Sequence, residues 1–439
     1  MSTRRRNRFD PTPFECAITD LASDGRGIAR MDGKVVFVAD ALPGERVRAK
    51  RHKGGKQADE AVCLEVLTAS SEREEPACPH FGVCGGCVLQ HLAPEAQRRF
   101  KQHQLAEAFQ RIGGGVAPEQ WAEPLAGPVW GYRRRARLGV KRVAAKGGTL
   151  VGFRERGSPF LAVLQGCEVL DPRVGRHLAD IGAMIDRLSI REQIPQIEVA
   201  ATDRVALVFR VLALPSAADR EVLSRFGRSM EYDIWLQTGG VDTASPLGKA
   251  PLPRYVPDGG PHSLALRPTD FIQVNGPLAE VMVHQALDWL APEPGAHVLE
   301  LFAGLGNFTL PLAARGAEVT AVEGEAGLVA RGRANTEAAG LSVDWQCTDL
   351  FGEGGSAGWQ GQRFDAVLLD PPRAGAREVL PAMAASGASR IVYISCHPAT
   401  LARDVGILVH EYGFRLERAR VMDMFPHTAH VESMALLTR

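Results

Sequence analysis

An apolar strand that runs straight into a glycine-rich turn, His297-Val-Leu-Glu-Leu-Phe-Ala-Gly-Leu-Gly-Asn-Phe-Thr309, leaves few folds open to this chain. The turn opens a helix at Asn307 or Phe308, and its glycines let the backbone approach a bound ligand closely. From Leu266 onward, apolar strands alternate with helical stretches, the pattern of an α/β domain with a parallel sheet. Open sheets of this kind bind ligands outside the carboxyl ends of their strands. The residues at those ends are therefore the first candidates for function. Strand Glu318–Val322 ends at Glu323, 23 positions after Glu300, where a carboxylate can accept both hydroxyls of a ribose. Strand Val343–Asp349 ends in Asp349, which could equally cap a helix. Strand Phe364–Asp370 ends in Asp370-Pro-Pro-Arg373, and strand Arg390–Ser395 runs into Cys396.

A Gly-x-Gly turn also serves dinucleotide enzymes. Glu300, just ahead of the turn, would repel a pyrophosphate and suit a cationic sulfonium. S-adenosylmethionine is therefore the better fit. Cys396 sits at the same rim as this ligand, one strand beyond Asp370, where a thiol can act as a nucleophile. The C-terminal stretch Asp423-Met-Phe-Pro-His427-Thr-Ala-His430-Val-Glu432 offers His427, His430 and Glu432 as bases. Spacing does not choose among them.

Ahead of this domain, short apolar runs (Phe14–Ile18, Val35–Ala39, Arg46–Arg51, Ala61–Leu67) are separated by turn pairs such as Asp24-Gly25 and Pro43-Gly44. Such a pattern predicts a small β-barrel of the oligonucleotide-binding type. A polar stretch, residues 70–77, follows as a linker. Next come a cysteine-rich segment, a helix from about Pro94 to Phe109, and an α+β region to about residue 262. The expected architecture is multidomain α/β. It comprises a β-barrel (1–70), a central α+β domain with a four-cysteine cluster (71–262) and a Rossmann-like methyltransferase domain (263–439).

Net charge is zero, but it is unevenly spread. Residues 1–56 carry 13 Lys/Arg against 7 Asp/Glu, and Gly131–Arg156 carry 9 against 1. From Leu266 to the end the balance is 13 against 20. Basic accessory regions ahead of an acidic catalytic domain suit a polyanionic partner. Arg46, Arg48, Lys50, Arg51, Lys53 and Lys56 fit a surface that tracks a nucleic-acid backbone. Arg133-Arg134-Arg135-Ala-Arg137 is expected to grip phosphates. The basic N-terminus, MSTRRRNRF, has no apolar stretch behind it and does not read as a secretory signal. No run of about 18 apolar residues exists to span a membrane. The expected compartment is a reducing cytoplasm.

Cys78-Pro-His-Phe-Gly-Val-Cys84-Gly-Gly-Cys87 places three thiols within ten residues, and Cys167 follows 80 residues later. Four thiolates suit zinc or an iron–sulfur cluster, and spacing leaves the two even. Cys16, Cys63 and Cys347 belong to no motif and read as packing residues.

Gln273-Val-Asn275, Leu301-Phe302-Ala-Gly304-Leu-Gly306-Asn307-Phe-Thr309, Asp370-Pro-Pro-Arg373, Ser395-Cys396-His397-Pro398 and His430-Val-Glu432 together resemble the RNA uracil-C5 methyltransferase family. The resemblance implies that Cys396 is the nucleophile and that Glu432, rather than either histidine, removes the carbon-5 proton. It also implies that Gln273, Phe302, Asn307, Glu323, Asp349 and Asp370 contact S-adenosylmethionine. Such chemistry is sensible, because carbon 5 of uracil is a poor nucleophile until a thiolate adds at carbon 6. The ribosomal branch of the family shares the cysteine arrangement, which implies a [4Fe-4S] cluster on Cys78, Cys84, Cys87 and Cys167. Asp24-Gly25-Arg26-Gly27-Ile28-Ala29 resembles the TRAM domain found with that cluster in enzymes of 23S ribosomal RNA. The implied substrate is a looped or melted segment of 23S RNA, since a target base must leave its stack. The expectation is a monomer with no obligate protein partner. The same chemistry on another ribosomal site or on tRNA is the alternative. An amino-group methyltransferase is a further rival, because it shares Asp-Pro-Pro, but it needs no thiol and carries an aromatic where Arg373 stands.

Overall fold

The computed structural model describes residues 12–352 and 358–439 of the 439-residue chain. The basic N-terminal stretch lies outside the described residues. Two compact units are present. One comprises residues up to Gln104 with Arg154–Pro159 and Pro426–Ala429, and the other holds the remainder.

In the first unit, six strands pair in the order Phe14–Ala17, Arg46–Gly54, Ala58–Thr68, Lys34–Ala39, Gly27–Met31, Asp20–Leu21. The two edge strands are one stretch of chain broken at Ile18–Thr19. Phe14–Ala17 pairs with Arg46–Gly54, and Asp20–Leu21 pairs with Gly27–Met31, so the sheet closes on itself. Alternation along Arg46–Gly54 turns Val47 and Ala49 inward, onto Ile18, Ala29, Val36 and Val38, and turns Arg46, Arg48 and Lys50 outward. The basic face is thus real, although Arg46 pairs with Glu15 at 2.7 Å, Lys53 with Glu60 at 2.7 Å, and Arg48 with Glu65. Gly27–Met31 was not legible as a strand, because its glycine and arginine interrupt the apolar run. It forms because Gly27 has no side chain: a Cβ there would lie 2.8 Å from the Ala41 carbonyl oxygen.

The second unit holds two larger sheets. A mixed six-stranded sheet runs Ser245–Pro246, Tyr232–Gln237, Val205–Arg210, Gln196–Ala201, Arg135–Val143, Gly148–Gly152. Its one parallel pair, Val205–Arg210 with Tyr232–Gln237, is joined by helix Ala217–Met230, which starts in a capping box of Ser216 and Asp219.

The eight-stranded sheet has the order Asp344–Cys347, Glu318–Glu323, His297–Leu301, Ala366–Leu369, Arg390–Ser395, Glu432–Thr438, Arg415–Met422, Gln120–Trp121. The first five strands are parallel, and Glu432–Thr438 inserts antiparallel between its neighbours. The chain leaves His297–Leu301 in one direction and returns to its other side at Ala366–Leu369. The strand order therefore reverses between these two, where open α/β sheets form a ligand crevice. The strand interiors (Leu299, Leu301, Val367, Leu369, Ile391, Tyr393) are fully buried, as expected of a parallel sheet covered on both faces.

Candidate active site

Five parallel strands deliver their carboxyl ends to one edge, and side chains at or just beyond those ends face one cavity of about 520 Å3. Gln273, Phe302, Asn307, Glu323, Asp349, Asp370, Cys396 and Glu432 all line it. Every catalytic and cofactor-contacting residue expected from the sequence is thus brought to a single place.

The glycine turn is held in an unusual conformation. Phe302, which is not glycine, has φ 62°, and Gly304 follows at φ 57°. A left-handed phenylalanine is strained and persists only where its surroundings dictate it. Glu323 supplies part of that restraint, since its Oε2 accepts the Gly304 N–H at 3.0 Å and its Oε1 the Glu325 N–H at 3.0 Å. The carboxylate is therefore fixed before any ligand arrives. Asp349 is fixed in the same manner by the Phe351 N–H at 2.9 Å, so it serves a local turn while still lining the cavity. Asn307 Oδ1 accepts the Tyr255 hydroxyl at 3.2 Å.

Deeper in, two carboxyls are driven toward neutrality by burial. Glu300 rises to about 8, mainly through desolvation, with the charges of Asp370 and Glu323 adding to it. It accepts the Thr309 hydroxyl at 2.6 Å. Asp370 rises to about 7 for the same primary reason, and the Gln273 side-chain amide, donating at 3.2 Å, opposes the shift.

Cys396 and Glu432 meet through strand register. Ser395 lies opposite Ser433 in the antiparallel pair, so the residue after one and the residue before the other face each other across the strand ends. Burial pushes the Cys396 thiol up, the Glu432 and Asp370 carboxylates add to this, and Arg373 lowers it. His397 ends the turn by capping helix Pro398–His410, its Nδ1 accepting the Thr400 N–H at 3.4 Å. Neither histidine rival lines the cavity. His427 is buried in the other unit, where its backbone N–H donates to Gln97 at 2.7 Å. His430 is exposed and meets Arg373 at 3.2 Å.

Three contributors lie outside the catalytic and cofactor residues expected from the sequence. Phe351 packs on Phe302 with ring centroids 5.6 Å apart. Tyr255 is buried beside Asn307, its phenol raised to about 12 by desolvation. Arg134 donates from Nε to the Gln273 carbonyl at 2.8 Å and lies over the Tyr255 ring at 4.7 Å. Phe351 could have been found from its place two residues beyond Asp349, whereas nothing in the sequence marks Tyr255.

The Arg133–Arg137 run does not present all of its guanidinium groups to solvent. Arg134 is turned inward, and Arg135 binds Glu198 at 2.5 Å and the Val199 and Thr269 carbonyls at 3.1 Å. Arg137 keeps 69% of its side chain exposed.

A model of the tRNA (uracil-5-)-methyltransferase family matches residues 265–344 and 358–439, and one of the TRAM domain matches residues 14–55. The 23S rRNA (uracil(1939)-C(5))-methyltransferase RlmD of Alkalilimnicola ehrlichii is 54% identical, covering 99% of each chain. Its counterpart in Stenotrophomonas maltophilia is 49% identical over the same share. The chain belongs to the RNA uracil-C5 methyltransferase family. A tRNA (uracil-54, C5)-methyltransferase of Pyrococcus abyssi, solved with S-adenosyl-L-homocysteine, has the same fold. Its TM-score is 0.75 at 22% identity, over 97% of this chain and 99% of that one. The N-terminal barrel of this uracil-C5 methyltransferase is a TRAM domain. No described helix is long and apolar enough to cross a membrane.

The cysteines stand differently. Cys78, Cys84, Cys87 and Cys167 are all half-buried thiols. Cys84 accepts the Gly86 N–H at 3.4 Å, and burial together with neighbouring Cys78 raises its pKa. Among the described residues, no three His, Cys, Asp or Glu side chains are gathered as a metal-holding group. The donor chemistry, four thiols, suits a cluster.

Proposed function

We propose that this methyltransferase modifies carbon 5 of a uridine in 23S ribosomal RNA, at the position for which its relatives are named, 1939. Supporting the reading most directly is the shared cavity of a thiol, a carboxylate and a cofactor-type glycine turn. Cys396 adds as a thiolate to carbon 6, and the electron pair of the 5,6 double bond is pushed onto the ring as an enolate. S-adenosylmethionine supplies the methyl group as a sulfonium electrophile. Glu432 then takes the proton from carbon 5, the double bond re-forms, and the Cys396 thiolate leaves. Arg373 favours the thiolate form, while the nearby carboxylates oppose it. Gln273, Phe302, Asn307, Glu323, Asp349 and Asp370 hold the cofactor, with Glu323 placed for the ribose.

Residues 1–70, 71–262 and 263–439 act as RNA-binding, cluster-bearing and catalytic parts. The protein works as a cytoplasmic monomer. Cys78, Cys84, Cys87 and Cys167 would hold a [4Fe-4S] cluster, whose iron–thiolate bonds fix their loops. Methyl transfer needs no redox step from it.

The test is label transfer from methyl-labelled S-adenosylmethionine to 23S RNA and, in parallel, to tRNA. Cys396→Ala is expected to lose activity by on the order of 10³-fold or more and to form no covalent RNA adduct. Glu432→Gln should slow turnover by about 10²–10⁴-fold and accumulate the adduct. Full activity without the thiol refutes the mechanism, and transfer to tRNA alone refutes the substrate.

A further inference from the structure

Tyr255 belongs to the walls of two cavities. The second, about 620 Å3, is lined by Arg134, Arg254, Gly276 and Glu280 among others, and shares Tyr255 with the cofactor cavity. Arg134 is half-buried, and desolvation lowers its pKa. Its guanidinium lies against the face of Tyr255, and a Cβ on Gly276 would come within 3.1 Å of Nη1. Position 276 must therefore stay bare for the group to lie there. Its one side-chain hydrogen bond among the described residues runs from Nε to Gln273. No described carboxylate pairs with it, and Glu280 acts only at longer range. The other acids of this cavity are already engaged, Asp171 by Arg173 and Asp203 by the Arg204 and Arg254 N–H groups. The two terminal nitrogens donate no hydrogen bond to a described protein group and are open to the cavity, where an anionic oxygen pair can accept from both.

We propose that this second cavity receives a backbone phosphodiester group of the RNA substrate on Arg134, which thereby links RNA docking to the cofactor-side residues Gln273 and Asn307. The inference rests on the RNA-methylating function above. A phosphate seated there holds the guanidinium against Tyr255, whose hydroxyl bonds Asn307, while Nε holds the Gln273 backbone. RNA and cofactor then bind with positive, reciprocal coupling.

The experiment uses the full-length protein and a 23S RNA fragment. Binding is measured against salt concentration, and S-adenosylhomocysteine affinity is measured with and without the RNA. In Arg134→Met the slope of log affinity against log salt should shrink by about 0.7, the value of one single-strand phosphate contact, and the coupling should vanish. Arg134→Lys should keep the slope. Gly276→Ala, which displaces the guanidinium without removing charge, should weaken RNA binding and coupling while leaving the melting temperature in place. An unchanged slope in Arg134→Met together with unchanged RNA binding in Gly276→Ala overturns the proposal. Inorganic phosphate is titrated in parallel. Stabilisation by phosphate that needs Arg134, with an unchanged RNA slope, would assign the cavity to a free anion and also overturn it. If the wild type neither binds RNA nor methylates it, the proposed function fails instead.

Discussion

The catalytic cavity and the cysteine loop were equally plain as motifs, yet they are built on different principles. Around the cavity, Glu323 closes a strand, Asp370 and Cys396 follow strands directly, and Glu432 opens the antiparallel one, so sheet register decides where they sit. Glu323 and Asp349 are pinned by backbone N–H groups, and Cys396 faces Glu432 through pairing of Ser395 with Ser433. In the loop from Cys78 to Cys87, local turns such as Cys84 N–H to the His80 carbonyl at 2.9 Å set the path. Among the described residues no strand ladder joins the thiols there, and no metal-holding group is gathered. A site made by a sheet is preorganised, whereas a site made by turns depends on the ligand to finish it.

That contrast is broken most sharply by removing a cluster thiol. Cys87→Ser is expected to abolish bound iron and sulfide and to leave the segment around residues 78–87 open to protease. The isolated S-adenosylhomocysteine affinity should stay at the wild-type value, because no element of that cavity passes through the loop. Iron analysis, limited proteolysis and calorimetry read the three quantities. Loss of cofactor binding together with iron would show that the cavity is not self-sufficient.

A smaller effect is expected within the preorganised site. Glu323 holds the strained turn at Phe302–Gly304 and is placed to accept ribose hydroxyls. Glu323→Gln keeps the shape and loses the charge-assisted bonds, so S-adenosylhomocysteine should bind about 10–100-fold more weakly, from ~1.5–3 kcal/mol. Unaltered affinity would mean that the carboxylate serves the turn alone.

The same contrast explains what could be read beforehand. Strand ends are legible because an apolar run stopped by a polar residue and a Gly or Pro turn marks them. Glu323, Asp370 and Cys396 were therefore found without coordinates. Choosing Glu432 over His427 and His430 required either the family resemblance or the register, since all three sit within six residues. Tyr255 and the inward placement of Arg134 were illegible for a physical reason. Each reaches the site from a distant stretch of chain, and Arg134 stands in a run of arginines whose composition points to solvent. Its burial is decided by Gly276 and Tyr255, more than 100 residues away. Phe302 is a further case, because a left-handed phenylalanine has no sequence signal of its own.

The mildest test probes the energetic side of preorganisation. Glu300 is buried at the base of the glycine turn, and its folded-state pKa is raised from 4.5 to about 8. The folded protein therefore keeps a proton that the unfolded chain releases above about pH 4.5. Stability from this group is fully present below that value and is lost progressively as pH rises toward 8. Glu300→Gln remains neutral and removes that part of the slope. Relative to wild type, the variant should gain about 1.4 kcal/mol for each pH unit across the window, which amounts to roughly 1 kcal/mol near pH 5.5. The comparison is of slopes, so any fixed cost of losing the Thr309 bond cancels. Urea unfolding of both proteins between pH 4.5 and 8 measures it. Parallel stability curves would mean that Glu300 is ionised in the folded state, and the acidic wall beside the turn would then be held charged by its surroundings rather than neutral.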